Sequence, residues 1–343
     1  MEITAARDLW QPATVYCNTA SYGLPPRPAW DALQAALADW RGGRTSWEHW
    51  GQSTEAARAS FARLVGVPTD QVAVGSTVSE LLGSAITALP DGARVAVPDI
   101  EFTSTLFPLL VQERLDVRTV RADRLVDAIA GGVDAVAFSA VQMSTGVLTD
   151  LDAIAGAATA TGTLTICDAT QAAGWLPLTR HRFDAVVCAA YKWLMSPRGT
   201  AFLAISDGLL SRVVPHSAGW YAGTDVHASY FGPPLRLAAS ARRLDVSPAW
   251  FSWVGTAPAL DLIEEIGVPA IHAHDVGLAN RFRAGIGLAP SDSAIVCADL
   301  PGAAERLARA GILAAVRGGR LRTSWHVYND EADVDRVLEV LGR

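Results

Sequence analysis

From about residue 53 onward, short runs of consecutive apolar residues alternate with longer stretches that read as helix. The runs are Gln71 to Gly75, Arg94 to Pro98, Asp116 to Val120, Ala135 to Val141, Thr163 to Asp168, Asp184 to Ala189 and Thr200 to Ile205. They are continuously apolar rather than alternating, which predicts strands covered on both faces. Their interleaving with helices predicts βαβ units on a mostly parallel sheet. The expected fold class is α/β, with a large three-layer domain. After Gly208 the pattern loosens into a loop-rich stretch to Trp253, carrying Gly219, Gly223, Gly232, Pro233, Pro234 and Pro248. The tail then reads as helices (Ala257 to Ile266, Val268 to Gly285), a strand (Ala294 to Ala298) and a helix (Ala303 to Ala310). A strand pair (Leu313 to Val316, Arg320 to Ser324) and a closing helix (Glu331 to Leu341) complete a small α+β domain. The first fifty residues, rich in Trp and Pro, predict an arm and one helix (Pro28 to Trp40) packed with that small domain. The expected division is 1–50, 51–240 for the large domain and 241–343 for the small one.

Composition sharpens this picture. A chain of 343 residues exceeds the about 250–300 residues that one core sustains, in keeping with two units. Hydrophobic residues make up 50% and charged residues 18%, which excludes disorder and a coiled coil. The net charge of -7 offers no general attraction to nucleic acid or to a membrane surface, so a small molecule is the expected partner. No basic segment leads into an apolar run at the start, and no transmembrane-length apolar stretch appears later; the expectation is a cytoplasmic protein. Cys17, Cys167, Cys188 and Cys297 lack metal-ligand spacing, so buried thiols and no metal are expected.

In open α/β sheets ligands sit beyond the carboxyl ends of the strands, so the residues just past each strand are the candidates for chemistry. Gly75-Ser76-Thr77-Val78 opens a helix whose N-terminal amides and dipole favour a phosphate, although Ser-Thr is also an ordinary N-cap. Cys167 runs into Asp168-Ala169-Thr170-Gln171, which sets a carboxylate at a buried sheet edge where it needs a partner. Capping a helix is the alternative use of that aspartate. The next strand runs into Ala189-Ala190-Tyr191-Lys192-Trp193-Leu194, a lysine flanked by core residues. Desolvation lowers the pKa of such an amine and suits it to imine formation, whereas most lysines with apolar stems reach out to solvent. Lysine and aspartate on successive strand ends, with a phosphate-type turn upstream, converge on one cofactor site.

On these residues the stretch from about Val15 to Leu341 resembles the class V aminotransferase family of pyridoxal 5′-phosphate (PLP) enzymes, which includes cysteine desulfurases, kynureninase and isopenicillin epimerases. The resemblance implies the aspartate-aminotransferase fold, PLP fold type I. It implies that Asp168 pairs with the pyridinium nitrogen and Gln171 contacts the phenolic oxygen. Lys192 takes the imine lysine's place, and Tyr191, Ser76 and Thr77 attend the phosphate. Phe102, in Glu101-Phe102-Thr103-Ser104, falls where the family stacks an aromatic ring on the cofactor. Gln142, just before the segment Thr145 to Leu151, is by the same resemblance expected to be a further cofactor contact. Arg322, in Arg322-Thr323-Ser324-Trp325-His326-Val327-Tyr328-Asn329, matches the arginine that clamps the substrate α-carboxylate, a task that suits a planar bidentate fork. Asn18 and Ser21, within Val15 to Pro25, match a substrate-side loop. Ser247 stands near the place of a threonine that reaches a partner's phosphate, in a block that departs from the family's Arg-Phe-Glu-x-Gly-Thr. The family further implies a homodimer with both sites at the interface.

A desulfurase needs a thiol on a mobile loop after the lysine. Here only Cys297 comes after Lys192, inside the apolar run Ala294 to Ala298, and buried strand cysteines are inert. The blocks Val97 to Ser104, Ala218 to Gly223, Asp245 to Trp250 and Tyr328 to Asp335 are instead similar to the ergothioneine-forming C–S lyases. That resemblance implies β-elimination from hercynylcysteine sulfoxide, giving ergothioneine, pyruvate and ammonia. The chain has 11 tryptophans, and Trp47, Trp50 and Trp220 lie outside the predicted strands. Such rings could hold a trimethylammonium by cation–π contacts of about 0.5–2 kcal/mol each, with packing at a dimer interface as the alternative. An aminotransferase or a C–S lyase acting on another conjugate would keep the same cofactor residues. A non-catalytic PLP-binding protein is the third reading.

Overall fold

The structure, a computed structural model, describes residues 1–178 and 183–343. Among the described residues ten strands form two sheets: β1 (Val72–Gly75), β2 (Arg94–Pro98), β3 (Asp116–Val120), β4 (Ala135–Ser139), β5 (Leu164–Asp168), β6 (Ala185–Ala189), β7 (Ala201–Ile205), β8 (Ile295–Ala298), β9 (Ala315–Arg317) and β10 (Arg320–Ser324). The large sheet has the order β1-β7-β6-β5-β4-β2-β3. Strands β3, β2, β4, β5 and β6 are parallel neighbours, while β7 runs antiparallel to both β6 and β1.

Successive residues of the buried strands enter opposite cores, which is why those runs read as apolar throughout, whereas β3, at a sheet edge, departs from the expected pattern with Arg118 and Thr119 exposed. Val72 and Val74 point to the side of Phe61, Trp253 and Leu260, whereas Ala73 points to Leu81, Leu82 and Ile86. Val186 and Cys188 share the first side, and Ala185 and Val187 the second. Phe61 stacks on Phe202 with ring centroids 4.3 Å apart, fixing the helix Trp47–Val65 to β7.

The helix Trp250–Ile266 starts seven residues earlier than the pattern predicts, because Pro258 inside it imitates a helix boundary. It packs against the helices Arg27–Arg41 and Trp47–Val65 and meets Phe202 through Trp253. Part of the segment from residue 241 thereby belongs to the layer over the large sheet.

The antiparallel sheet β8-β10-β9 lies against the helices Val268–Gly285 and Glu331–Leu341 around Phe282, Trp325, Val334 and Val337. The N-terminal arm runs along it: Tyr16 bridges to Leu313 and Asn18 to Ser324. This carries Asn18–Gly23 from the small sheet to the edge of the large one. Among the described residues no helix is long and apolar enough to cross a membrane.

Candidate active site

The carboxyl edge of the large sheet opens into a cavity of about 320 Å³ lined by Ser76, Thr77, Phe102, Asp168, Gln171, Tyr191 and Lys192. Each stands at or just past a strand end, as expected. Because β7 runs the other way, the residues that precede it, Arg198 and Gly199, reach the same edge and line the same cavity.

Lys192 sits on a turn gripped from three sides. Gly23 donates its amide to Tyr191 O at 2.9 Å, and a Cβ at Gly23 would stand 1.9 Å from Lys192 O. A Cβ on Gly174 would stand 2.9 Å from Trp193 O. His326 donates from Nε2 to Trp193 O at 3.0 Å, while its Nδ1 meets the buried Asp275 at 2.7 Å. Met195 at the end of the turn takes φ 52°, a left-handed conformation that costs a non-glycine residue about 1–3 kcal/mol. Burial lowers the Lys192 amine from 10.5 to about 8, partly opposed by the Asp168 carboxylate and reinforced by Arg322 and Arg317. The amine is 5.5 Å from the centroid of the Phe102 ring and 5.6 Å from that of Tyr191.

Asp168 is held through both oxygens, by Thr105 Oγ1 at 3.0 Å and by the amide of Thr170 at 2.8 Å. Gln171 is fixed as well: Nε2 donates to Ala20 O at 2.9 Å and Oε1 accepts from Trp193 Nε1 at 2.8 Å. Gln142 does not line the cavity around Lys192. It faces an adjoining hollow and donates to Glu101 Oε2 at 3.1 Å. Glu101 also accepts from the amides of Phe102 and Ser139 and from the Ser139 hydroxyl, and burial pushes its carboxyl above the usual range. This carboxylate therefore ties Phe102, on one wall, to Ser139, on another.

At the other end of the cavity, Thr77 caps the helix Val78–Ala85 by accepting from Glu80 N at 3.2 Å, and Ser76 N donates to Glu80 Oε2 at 2.7 Å. Ser79, Ser104 and Arg198 add hydroxyls and a cation to this end, and the Arg198 guanidinium lies 4.8 Å over the Tyr191 ring. Hydroxyls, a helix start and an arginine suit a phosphate.

Arg322 lies behind Met143, a lining residue. It is 0% exposed and donates from Nη1 to Met143 O at 3.0 Å and from Nη2 to Ser21 Oγ at 2.6 Å. Asn18 Oδ1 is 3.5 Å away. The arm thus brings Asn18 and Ser21 to Arg322, as the family pattern implies. The structure does not bring Trp47, Trp50, Trp220 or Ser247 to this cavity. Trp47 packs against Trp220 and Trp250 at 5.0 and 5.7 Å, and Trp50 against Phe251 at 5.0 Å, so the rings are largely occupied by one another. Ser247 is exposed, next to Asp245, whose buried carboxylate pairs with Arg58.

These residues fit PLP. A desolvated amine faces an aromatic wall, a doubly held carboxylate can keep a ring nitrogen protonated, and hydroxyls with Arg198 can receive a phosphate. When bound, PLP supplies an electron sink for charge developed at a substrate Cα. Lysine, aspartate and the mostly parallel seven-stranded sheet define an α/β enzyme of PLP fold type I.

The chain belongs to the PLP-dependent aminotransferase class-V family, whose model matches residues 26–301. It is 26% identical over 323 residues to the uncharacterized aminotransferase YcbU of Bacillus subtilis, covering 86% of this chain and 85% of that one. Kynureninase of Deinococcus radiodurans is 28% identical over 292 residues, with 78% and 70% covered. Isopenicillin N epimerase of Amycolatopsis lactamdurans is 24% identical over 386 residues, with 96% and 95% covered. Among solved structures, the cystine C–S lyase C-DES in complex with cysteine persulfide superposes with a TM-score of 0.85 at 19% identity, over 96% and 97% of the two chains. The cysteine desulfurase CsdA of Escherichia coli gives 0.83 at 19%, over 100% and 98%. These structural likenesses are of fold.

Proposed function

We propose that this protein is a PLP-dependent C–S lyase that cleaves a cysteine sulfoxide conjugate, hercynylcysteine sulfoxide, by β-elimination. Elimination breaks the Cβ–S bond and releases the sulfur as a sulfenic acid, which an external thiol reduces to ergothioneine; the three-carbon remainder hydrolyses to pyruvate and ammonia.

The observation that carries the reading is a poised amine in a site without a usable thiol. All four cysteines are buried. Cys297, the one that comes after Lys192, is paired into β8 with Sγ 3.2 Å from Ser144 O, and burial raises its thiol. A leaving sulfur that is already oxidised requires no acceptor cysteine. Lys192, whose amine burial brings down to about 8 in the cofactor-free protein, would be the residue that holds the cofactor covalently and the group that moves the proton at the substrate Cα. Asp168 keeps the ring nitrogen protonated during that step, and Arg322 with Ser21 orients the α-carboxylate so that the Cα proton faces Lys192. An aminotransferase, or a lyase for another conjugate, uses the same residues up to the proton transfer.

PLP-loaded protein incubated with hercynylcysteine sulfoxide and a thiol reductant should yield ergothioneine and pyruvate together by mass spectrometry, and the Lys192→Ala variant should yield neither. Loaded protein that makes neither product, but exchanges amino groups between amino acids and keto acids, points to the aminotransferase instead.

A further inference from the structure

We infer that Arg317 is a second guanidinium of the substrate-carboxylate site and a determinant of specificity for acids over their neutral analogues. The inference rests on the amino-acid substrate of the proposed function, not on which sulfur compound is cleaved.

Arg317 ends β9, and Arg322 lies on β10 beside it: across the hairpin Arg320 pairs with Arg317 and Arg322 with Ala315. The two side chains converge on one oxygen. Ser21 Oγ accepts from Arg322 Nη2 at 2.6 Å and from Arg317 Nη2 at 3.1 Å. A hydroxyl with two lone pairs is filled by two such donors, so Ser21 acts as a small neutral bridge between two cations.

That arrangement lacks an anion. Among the described residues neither arginine is paired with a carboxylate; their acceptors are all neutral, the carbonyls of Met143 and Val316, the hydroxyl of Ser21 and, at 3.5 Å, the side-chain amide oxygen of Asn18. Arg322 is fully buried and its Nε has no hydrogen-bond partner. Buried cations without counter-charge are costly, and like charges brought together add to the cost. Burial first and Arg317 second pull Arg322 down to about 10, and both arginines act in the same sense on Lys192. A ligand carboxylate set between the two guanidiniums relieves all three groups.

The two arginines divide the task by their position. Arg322 is immobilised beneath Met143 and the arm. Arg317 is half-buried at the start of a turn, Gly318-Gly319, whose φ values of 52° and 76° favour glycine. It can approach a carboxylate from the solvent side while Arg322 holds it from below.

The test titrates PLP-loaded wild type, Arg317→Ala and Arg317→Lys with L-alanine and with L-alanine amide, following the cofactor's visible absorbance. Loss of one of two charge-assisted contacts should weaken L-alanine on the order of 10-fold in Arg317→Ala and less in Arg317→Lys, while the amide changes by less than about twofold. Acid and amide weakened alike, acid unaffected, or a wild type that does not prefer the acid overturns the inference. Because L-alanine replaces the sulfoxide here, failure of the sulfoxide to be cleaved leaves this outcome readable.

Discussion

Thr105 donates its hydroxyl to Asp168 Oδ2 at 3.0 Å, although 63 positions separate them in sequence. The bond links the helix Thr103–Leu110 to the end of β5 and, with the Thr170 amide, fixes the plane of the carboxylate. Asp168→Asn should lower turnover by a factor on the order of 10² or more, because a neutral amide no longer holds a protonated ring nitrogen. Thr105→Val should keep the fold and the bound cofactor but lower turnover by about 10-fold, the worth of one charge-assisted bond. Turnover in Thr105→Val equal to wild type would remove Thr105 from this role.

Lys192 is the only lysine in the chain; every other side-chain cation among the 28 is arginine. An amine reagent on the cofactor-free protein thus reads this group and the N-terminus alone. Its side-chain labelling should rise with pH through about 8, not 10.5.

The same shift has a sign for stability. Protonated Lys192 is penalised by burial, so below about pH 8 cofactor-free protein bears the whole cost. Between about 8 and 10.5 the cost fades as the folded protein loses its proton before the unfolded chain does. Cofactor-free Lys192→Met should accordingly be more stable than wild type by about 3 kcal/mol at neutral pH, with the gap closing toward pH 10.5 in denaturant titrations. A gap independent of pH would contradict the shift.

Gly23→Ala should be one of the most damaging single-methyl changes. The added carbon meets the backbone at Lys192 O and the Cα of Met195, neither of which can swing away. A loss of about 3 kcal/mol, with weakened cofactor binding, is the expected result in unfolding curves and absorbance.

Cys297→Ser should leave product formation within about twofold of wild type, since the thiol is buried in β8 and a hydroxyl can still meet Ser144 O. Loss of ergothioneine formation by a folded Cys297→Ser variant would restore a sulfur-relay role to that residue.

The large sheet was legible because burial on both faces writes an unbroken apolar run into its buried strands, as at Val72–Gly75 and Ala185–Ala189. Lys192, Asp168, Ser76 and Phe102 were legible because they close such runs or lie just beyond them. Arg198 was not. It stands before β7 rather than after it, and reaches the cavity only because that strand runs in reverse; hydrophobicity does not encode strand direction. Thr105 and Glu101 were missed because a lone threonine in a helix, or a glutamate in a loop, carries no signal until the fold closes around it. Arg317 was hidden for a further reason: on an edge hairpin it reads as an ordinary surface cation. Trp47 and Trp220 drew notice by their abundance and aromaticity, yet the structure turns them toward each other.

The most direct measurement is reduction of the PLP-loaded protein with borohydride, followed by peptide mass mapping. The expected result is one cofactor fixed per chain, on the peptide containing Lys192, and a colourless Lys192→Ala protein with none fixed. Cofactor retained and fixed only at the N-terminal amine, or no cofactor fixed in the wild type, would contradict the assignment of Lys192.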